Sequence, residues 1–149
     1  MSTTTKGAFD EMFSALNVSW QSKTNAVIGY IPPIQWPGFD TGDIPDAANF
    51  WCRVSTQGVS SVQSTLSENV VINGSRRFKT IGLIFFQIFA PKRANSEVLT
   101  IALAKIVQDT LRKSTNNVIF RNATLKELPP ENGAIRKTIV AQYEFDEIS

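Results

Sequence analysis

Residues 76–89, RRFKTIGLIFFQIF, restrict the fold of this chain more than any other stretch. They are rich in β-formers, free of proline, and apolar on both faces beyond Lys79. Read as a strand, the run places Phe78, Ile84, Phe86 and Ile88 on one side and Ile81, Leu83, Phe85 and Phe89 on the other. A strand with one solvated face would alternate apolar with polar, so both sides of this one require a cover. With 149 residues the chain is a normal size for one domain with one core, and a single domain is expected. In so short a chain the second cover is either a helix of its own or the surface of a neighbouring copy.

Hydrophobic content of 42% and charged content of 19% are those of a globular protein, and the low charged fraction leaves room for an interaction surface. A formal charge of +2 falls well short of the dense Lys/Arg field expected when phosphate contacts supply most of the binding energy, so nucleic acid is not a required partner. Cys52 is the sole cysteine, which rules out an intrachain disulfide or a cysteine metal cluster and suits a reducing compartment. The N-terminal MSTTTKGAFDEMF has a lone lysine and two acids where a signal peptide would have a basic segment followed by an apolar one. The longest nearly apolar run, residues 81–90, is about half of what a membrane-spanning helix needs. These features predict a soluble, cytoplasmic protein without membrane contact.

Phe9, Met12, Phe13 and Leu16 recur at spacings of three and four, predicting a short amphipathic helix over residues 6–16. Residues 24–48 hold four of the seven prolines and read as an ordered loop pinned by Tyr30, Trp36 and Phe39, with a short edge strand over 26–31. From Asn49 the pattern becomes β: Phe50, Cys52 and Val54 alternate with Trp51, Arg53 and Ser55, and two strands are expected around Gly58. Asn73-Gly74 is a strong turn signal that makes a long hairpin with the doubly apolar strand. The segment from Gly58 to Arg77 buries little by itself and is expected to order on assembly. Asn95 or Ser96 then caps a helix running to about Lys113, with Leu99, Ala102, Leu103, Ile106 and Leu111 inward. The last third reads as a hairpin of residues 118–128 and 134–145, turning through PPENG. In its final strand Ile135, Ile139, Ala141, Tyr143 and Phe145 face the core, and Arg136, Thr138, Gln142 and Glu144 face water. The order predicts an α+β domain: a mostly antiparallel sheet with two helices packed on it and a long β-hairpin.

The chain has no histidine, which removes Ser-His and Cys-His nucleophile pairs and the commonest metal ligand in one step. Cys52, in an alternating strand, reads as a small buried apolar residue rather than a reactive thiol. Asp40, Asp43 and Asp46 are spaced by three in a loop but lack the register and closing glutamate of a calcium loop, so turn and cap roles explain them. Glu144, Asp146 and Glu147 read as a solvated strand end. The glycines are isolated and cradle no phosphate, so no catalytic residue, metal or cofactor is expected. Arg76, Arg77 and Lys79, with Lys92 and Arg93 at the other end of the strand, make the densest basic patch. Lysines that deter wrong strand pairing account for it better than an acidic partner or DNA does.

The succession of FWCRVS at residues 50–55, the return strand RRFKTIGLIFFQIFAPKR, the helix, NNVIFRNATLKEL and a final QYEFDE resembles the tail terminator proteins of long-tailed bacteriophages. The likeness covers about two-thirds of the chain, residues 50–147, and the N-terminal helix only loosely. Three patterns recur in that family in this order: the Trp-x-Arg-Val strand, a Gly-x-x-x-x-Gln-Ile-Phe strand, here Gly82 to Phe89, and a terminal Tyr-x-Phe-Asp-Glu strand. The connection over residues 92–96 departs from the pattern by lacking glycine. The resemblance implies a non-catalytic virion protein, assembled in the host cytoplasm. It would form a homo-oligomeric ring, usually of six copies, that caps the tail tube, stops its growth and docks to the head connector or neck. DNA would pass through the lumen without specific binding. Arg76, Arg77, Phe78, Lys79, Phe85 and Phe86 are the candidate interface with neighbouring copies or the tube protein. An alternative from the residues themselves is a nucleic-acid module stacking bases on Phe85, Phe86, Trp36 or Tyr30 beside Arg76 and Arg77.

Overall fold

The computed structural model describes residues 2–37, 49–63, 77–92, 95–115, 117–131 and 134–148. Its elements are β1 (Ser2–Thr3), α1 (Thr5–Lys23), α2 (Asn25–Ile28), β2 (Ile34–Gln35), β3 (Trp51–Gln63), β4 (Arg77–Pro91), α3 (Ser96–Leu111), β5 (Val118–Glu131) and β6 (Ala134–Ile148). The doubly apolar run is β4, and it lies at the centre of the sheet, antiparallel to β3 on one side and to β6 on the other. β5 pairs antiparallel with the far edge of β6, while the two-residue β1 and β2 add parallel to β6 and β3. The two long helices pack on one face of this mostly antiparallel sheet, so the domain is α+β.

The core lies between that face and the helices. The register sets Cys52 and Val54 of β3 and Ile139 and Ala141 of β6 beside Ile84, Phe86 and Ile88 of β4, all of them buried. From the other layer come Ala8, Met12, Leu16 and Trp20, spaced four apart on α1, and Leu103, Ala104, Val107 and Leu111 on α3. Trp20 meets Phe86 with ring centroids 5.1 Å apart. Full burial of a side chain such as Phe86 contributes roughly 2–3 kcal/mol, so this seam is the main source of stability.

α1 begins where the Thr4 hydroxyl accepts the Gly7 amide at 3.0 Å, and it runs a full turn and more beyond the predicted end at Leu16. Trp20 continues the buried stripe, and its indole N–H donates to the Pro32 carbonyl at 2.9 Å. The edge strand expected over residues 26–31 is instead the single turn of α2, stopped by Gly29 in the left-handed conformation at φ 82°. The edge strand forms later, as β2, because Pro33 needs only its carbonyl there, accepting from the Cys52 amide at 2.9 Å. Gly58 does not divide two strands. It opens a bulge within the single strand β3, and the pairing resumes at Ser60. Pro129 and Pro130, assigned above to a turn, lie inside β5, at an irregularity between Leu128 and Glu131 that an edge strand tolerates. α3 starts as predicted, with Asn95 in the N-cap position, but the Asn95 side chain does not supply the capping bond. Asn95 is left-handed at φ 70° without a side-chain cap bond, and Ser96 is buried inside the first turn. The Asn73-Gly74 turn, the aspartates at 40, 43 and 46, and most of the segment expected to order on assembly lie outside the described residues.

Candidate interaction surface

β4 presents Lys79, Ile81, Leu83, Phe85, Gln87 and Phe89 to the face of the sheet that carries no helix among the described residues. The register brings these side chains beside Ser55 and Gln57 of β3 and beside Thr138, Val140, Gln142 and Glu144 of β6. In the middle of this outer face Ile81, Leu83, Phe85 and Val140 are half-buried, an apolar row whose neighbours Ser55, Gln57 and Gln142 are polar and uncharged.

The two ends of the row are closed in different ways. At one end Trp51 stacks on Phe89, with centroids 4.1 Å apart and planes 6° from parallel. The Arg53 guanidinium lies 5.1 Å from the Phe89 centroid and donates from Nε and Nη2 to Gln87 Oε1, at 3.0 and 2.7 Å. Trp51 and Phe89 are thereby 7% and 2% exposed although they lie on the helix-free side. At the other end Glu144 receives Lys79 from β4 and Arg121 from β5, one on each carboxylate oxygen. The bond from Lys79, ahead of that from Arg121, holds the Glu144 carboxyl below the usual carboxylate range against the opposing effect of burial. A shallow recess of 320 Å³ lies beside this group, lined by Lys79, Asn117, Ile119, Arg121, Glu144, Phe145 and Asp146. Both Glu144 oxygens that face it are paired with cations of the chain itself.

The six residues proposed from sequence do not gather into one site. Phe86 is fully buried against the helices, and Phe78, eight positions before it, shares its side of β4. Lys79 and Phe85 lie on the outer face, Lys79 already paired with Glu144. The backbone of Arg77 pairs with Ile148, and Arg76 lies outside the described residues. Phe85 and Phe86 therefore cannot make one stacking platform. Trp36 packs on Phe13 at 5.4 Å, and the Tyr30 hydroxyl accepts the Phe50 amide at 3.0 Å, so both aromatics hold the chain that leads to β3. Sequence reasoning missed Val140, whose signal was an apolar residue in the strand face read as wet.

Lys137 was not singled out in the sequence. It occupies a core-facing position between Ile135 and Ile139, and its side chain is 2% exposed. Its ammonium donates to Glu97 of α3 at 2.6 Å and to Glu127 of β5 at 2.7 Å. Burial opposes the charge, but the bonds from Glu127 and Glu97 outweigh it and raise the lysine above its ordinary value. Thr138 and Glu144, expected to be wet, are 3% and 7% exposed. Cys52 is buried and its thiol is pushed well above its ordinary value by that burial, so the geometry gives it packing and no reactive role. Among the described residues no three His, Cys, Asp or Glu side chains gather to hold a metal ion, and no helix is long and apolar enough to cross a membrane.

No protein-family model matches the sequence, and no curated protein matches it. Among solved structures the chain is similar to one with 12% identity and a TM-score of 0.53, covering 91% of this chain and 94% of the other. At that identity the likeness speaks for the shared fold over nearly the whole length of both chains.

Proposed function

We propose that this protein is a structural subunit that assembles with copies of itself into a closed ring of the phage tail-terminator type, ending tube growth and offering a docking surface to the head connector. The observation that carries the reading is the half-buried apolar row of Ile81, Leu83, Phe85 and Val140, bounded by the Arg53 and Glu144 groups and without a cover among the described residues. An apolar sheet face with a polar rim is the pattern of an association surface. The order of strand patterns from Trp51 to Glu147 supports the particular assembly, through its resemblance to tail terminators. A subunit that adds to a tube without propagating it must cover its lateral surfaces by ring closure and present a different axial face to the next component.

Native mass measurement with electron microscopy of the purified full chain, with and without tail tubes, tests this. Closed rings with a central passage, six copies by the resemblance, are expected, and they bind tube ends without altering them. A monomer at high concentration that is also monomeric on tail tubes overturns the reading.

A further inference from the structure

α3 is apolar on two sides. Leu103, Ala104, Val107 and Leu111 pack toward the sheet, while Val98 and Ile101 are 66% and 46% exposed, with half-buried Ala102 beside them. The same solvent side turns charged in the second half of the helix, where Asp109 pairs with Lys105 at 3.1 Å and Arg112 at 3.5 Å. The apolar patch is thus confined to the first half of α3. The outer row of β4 and β6 lies across the sheet from α3, so the two surfaces cannot meet within one chain. Each is what the other needs. A sheet face lacking a helix and a helix with an unused apolar side are the two halves of the layer packing that builds α+β cores. The rims are opposite in charge: Glu97, which holds Lys137 through Oε1 and has a side chain 57% exposed, edges the helix patch as one of two carboxylates on a single ammonium, and exposed Lys126 stands beside Thr138 at the β5 margin of the sheet face.

We propose that the Val98 and Ile101 side of α3 in one copy packs on the Leu83, Phe85 and Val140 row of the next. The contact is heterologous, since each copy gives a helix and takes one, and repeating it produces a ring when the rotation closes. The inference rests on the self-assembly reading above and specifies its lateral contact. The competing arrangement is an isologous one, in which two outer faces pack on each other and α3 takes no part.

Two full-length variants separate these, each checked for folding by circular dichroism. One carries Val98→Asp with Ile101→Asp, at positions exposed enough to leave the fold intact. The other carries Leu83→Asp. Each is expected to be monomeric alone. An equimolar mixture should form one-to-one dimers and nothing larger, because each pair retains a single intact helix-to-sheet contact. If Leu83→Asp fails to fold, the helix variant is titrated into wild type, where substoichiometric amounts should suppress full-size rings by terminating them. A helix variant that assembles to wild-type mass overturns this contact while leaving the ring reading in place. Folded monomeric variants that form no dimer on mixing overturn it as well. Wild type that is monomeric both alone and on tail tubes overturns both readings.

Discussion

Lys137 and Glu144 show two ways of keeping a charge in a sheet. The Lys137 ammonium is buried and depends on two carboxylates that reach it from solvent, with side chains 57% and 72% exposed. Losing one leaves the other; losing both strands a buried cation. Glu97→Gln and Glu127→Gln should therefore each cost about 1 kcal/mol or less, and the double variant on the order of 3 kcal/mol, more than their sum. Urea unfolding of the four proteins in this cycle checks it, and additive losses would show that the ammonium finds water. The sign of the pH effect follows from the shifts. Glu144 has a carboxyl held below 4.5, so its contribution is present above that value and fades as pH falls through the folded pKa. Lys137 has the reverse behaviour: its contribution is present below 10.5 and is lost as pH rises through the raised value. Glu144→Gln should flatten the acid limb of a Tm-versus-pH curve and leave the alkaline limb unchanged. A variant whose acid limb keeps the wild-type slope would remove Lys79 and Arg121 as the cause.

Among the elements, β4 depends on a glycine that its composition does not explain. Gly82 pairs with Gly58 on one side and Tyr143 on the other, and the Tyr143 ring lies across it. A Cβ at position 82 would sit 2.3 Å from the Tyr143 ring terminus and 2.7 Å from the Gln57 carbonyl oxygen, and the second of these is backbone that cannot turn away. Gly82→Ala should destabilise by about 2 kcal/mol through overpacking, measured by chemical denaturation. An unchanged midpoint would mean that the β3–β4 ladder yields more easily than its register suggests. The strand itself was legible in the sequence because alternation and β-propensity are local. The glycine was not, since its role is set by a tyrosine 61 positions later, by 143 minus 82. Similarly, α1 continues past Leu16 through Asn17, Val18 and Ser19, which are poor helix formers, because burial of Trp20 outweighs them.

For the whole molecule, the two faces of β4 predict two phenotypes from adjacent residues. Phe86 is fully buried against Trp20, whereas Phe85 is half-buried on the outer face. Phe86→Asp should prevent folding, because a carboxylate would be enclosed without a partner. Phe85→Asp should leave a folded chain that has lost its assembly. Circular dichroism with sedimentation velocity distinguishes the outcomes, and two folded variants of wild-type mass would refute both the core assignment and the interface.

The sequence by itself determined that β4 is a strand with two apolar faces, that a helix follows it, and that the domain is α+β, because periodicity and propensity act over a few neighbouring residues. Only the tertiary structure decided which face the helices cover. That choice depends on register, which sets Val54 and Ile139 beside Phe86 and sets Ser55 and Val140 beside Phe85. It also decided that Lys137 faces inward, since a lysine in a strand reads as solvated until two carboxylates from distant segments are brought within 2.7 Å of its ammonium. Pairings between residues far apart in the chain carry no local signature, and they are what divided one apolar strand into a core and a candidate interface.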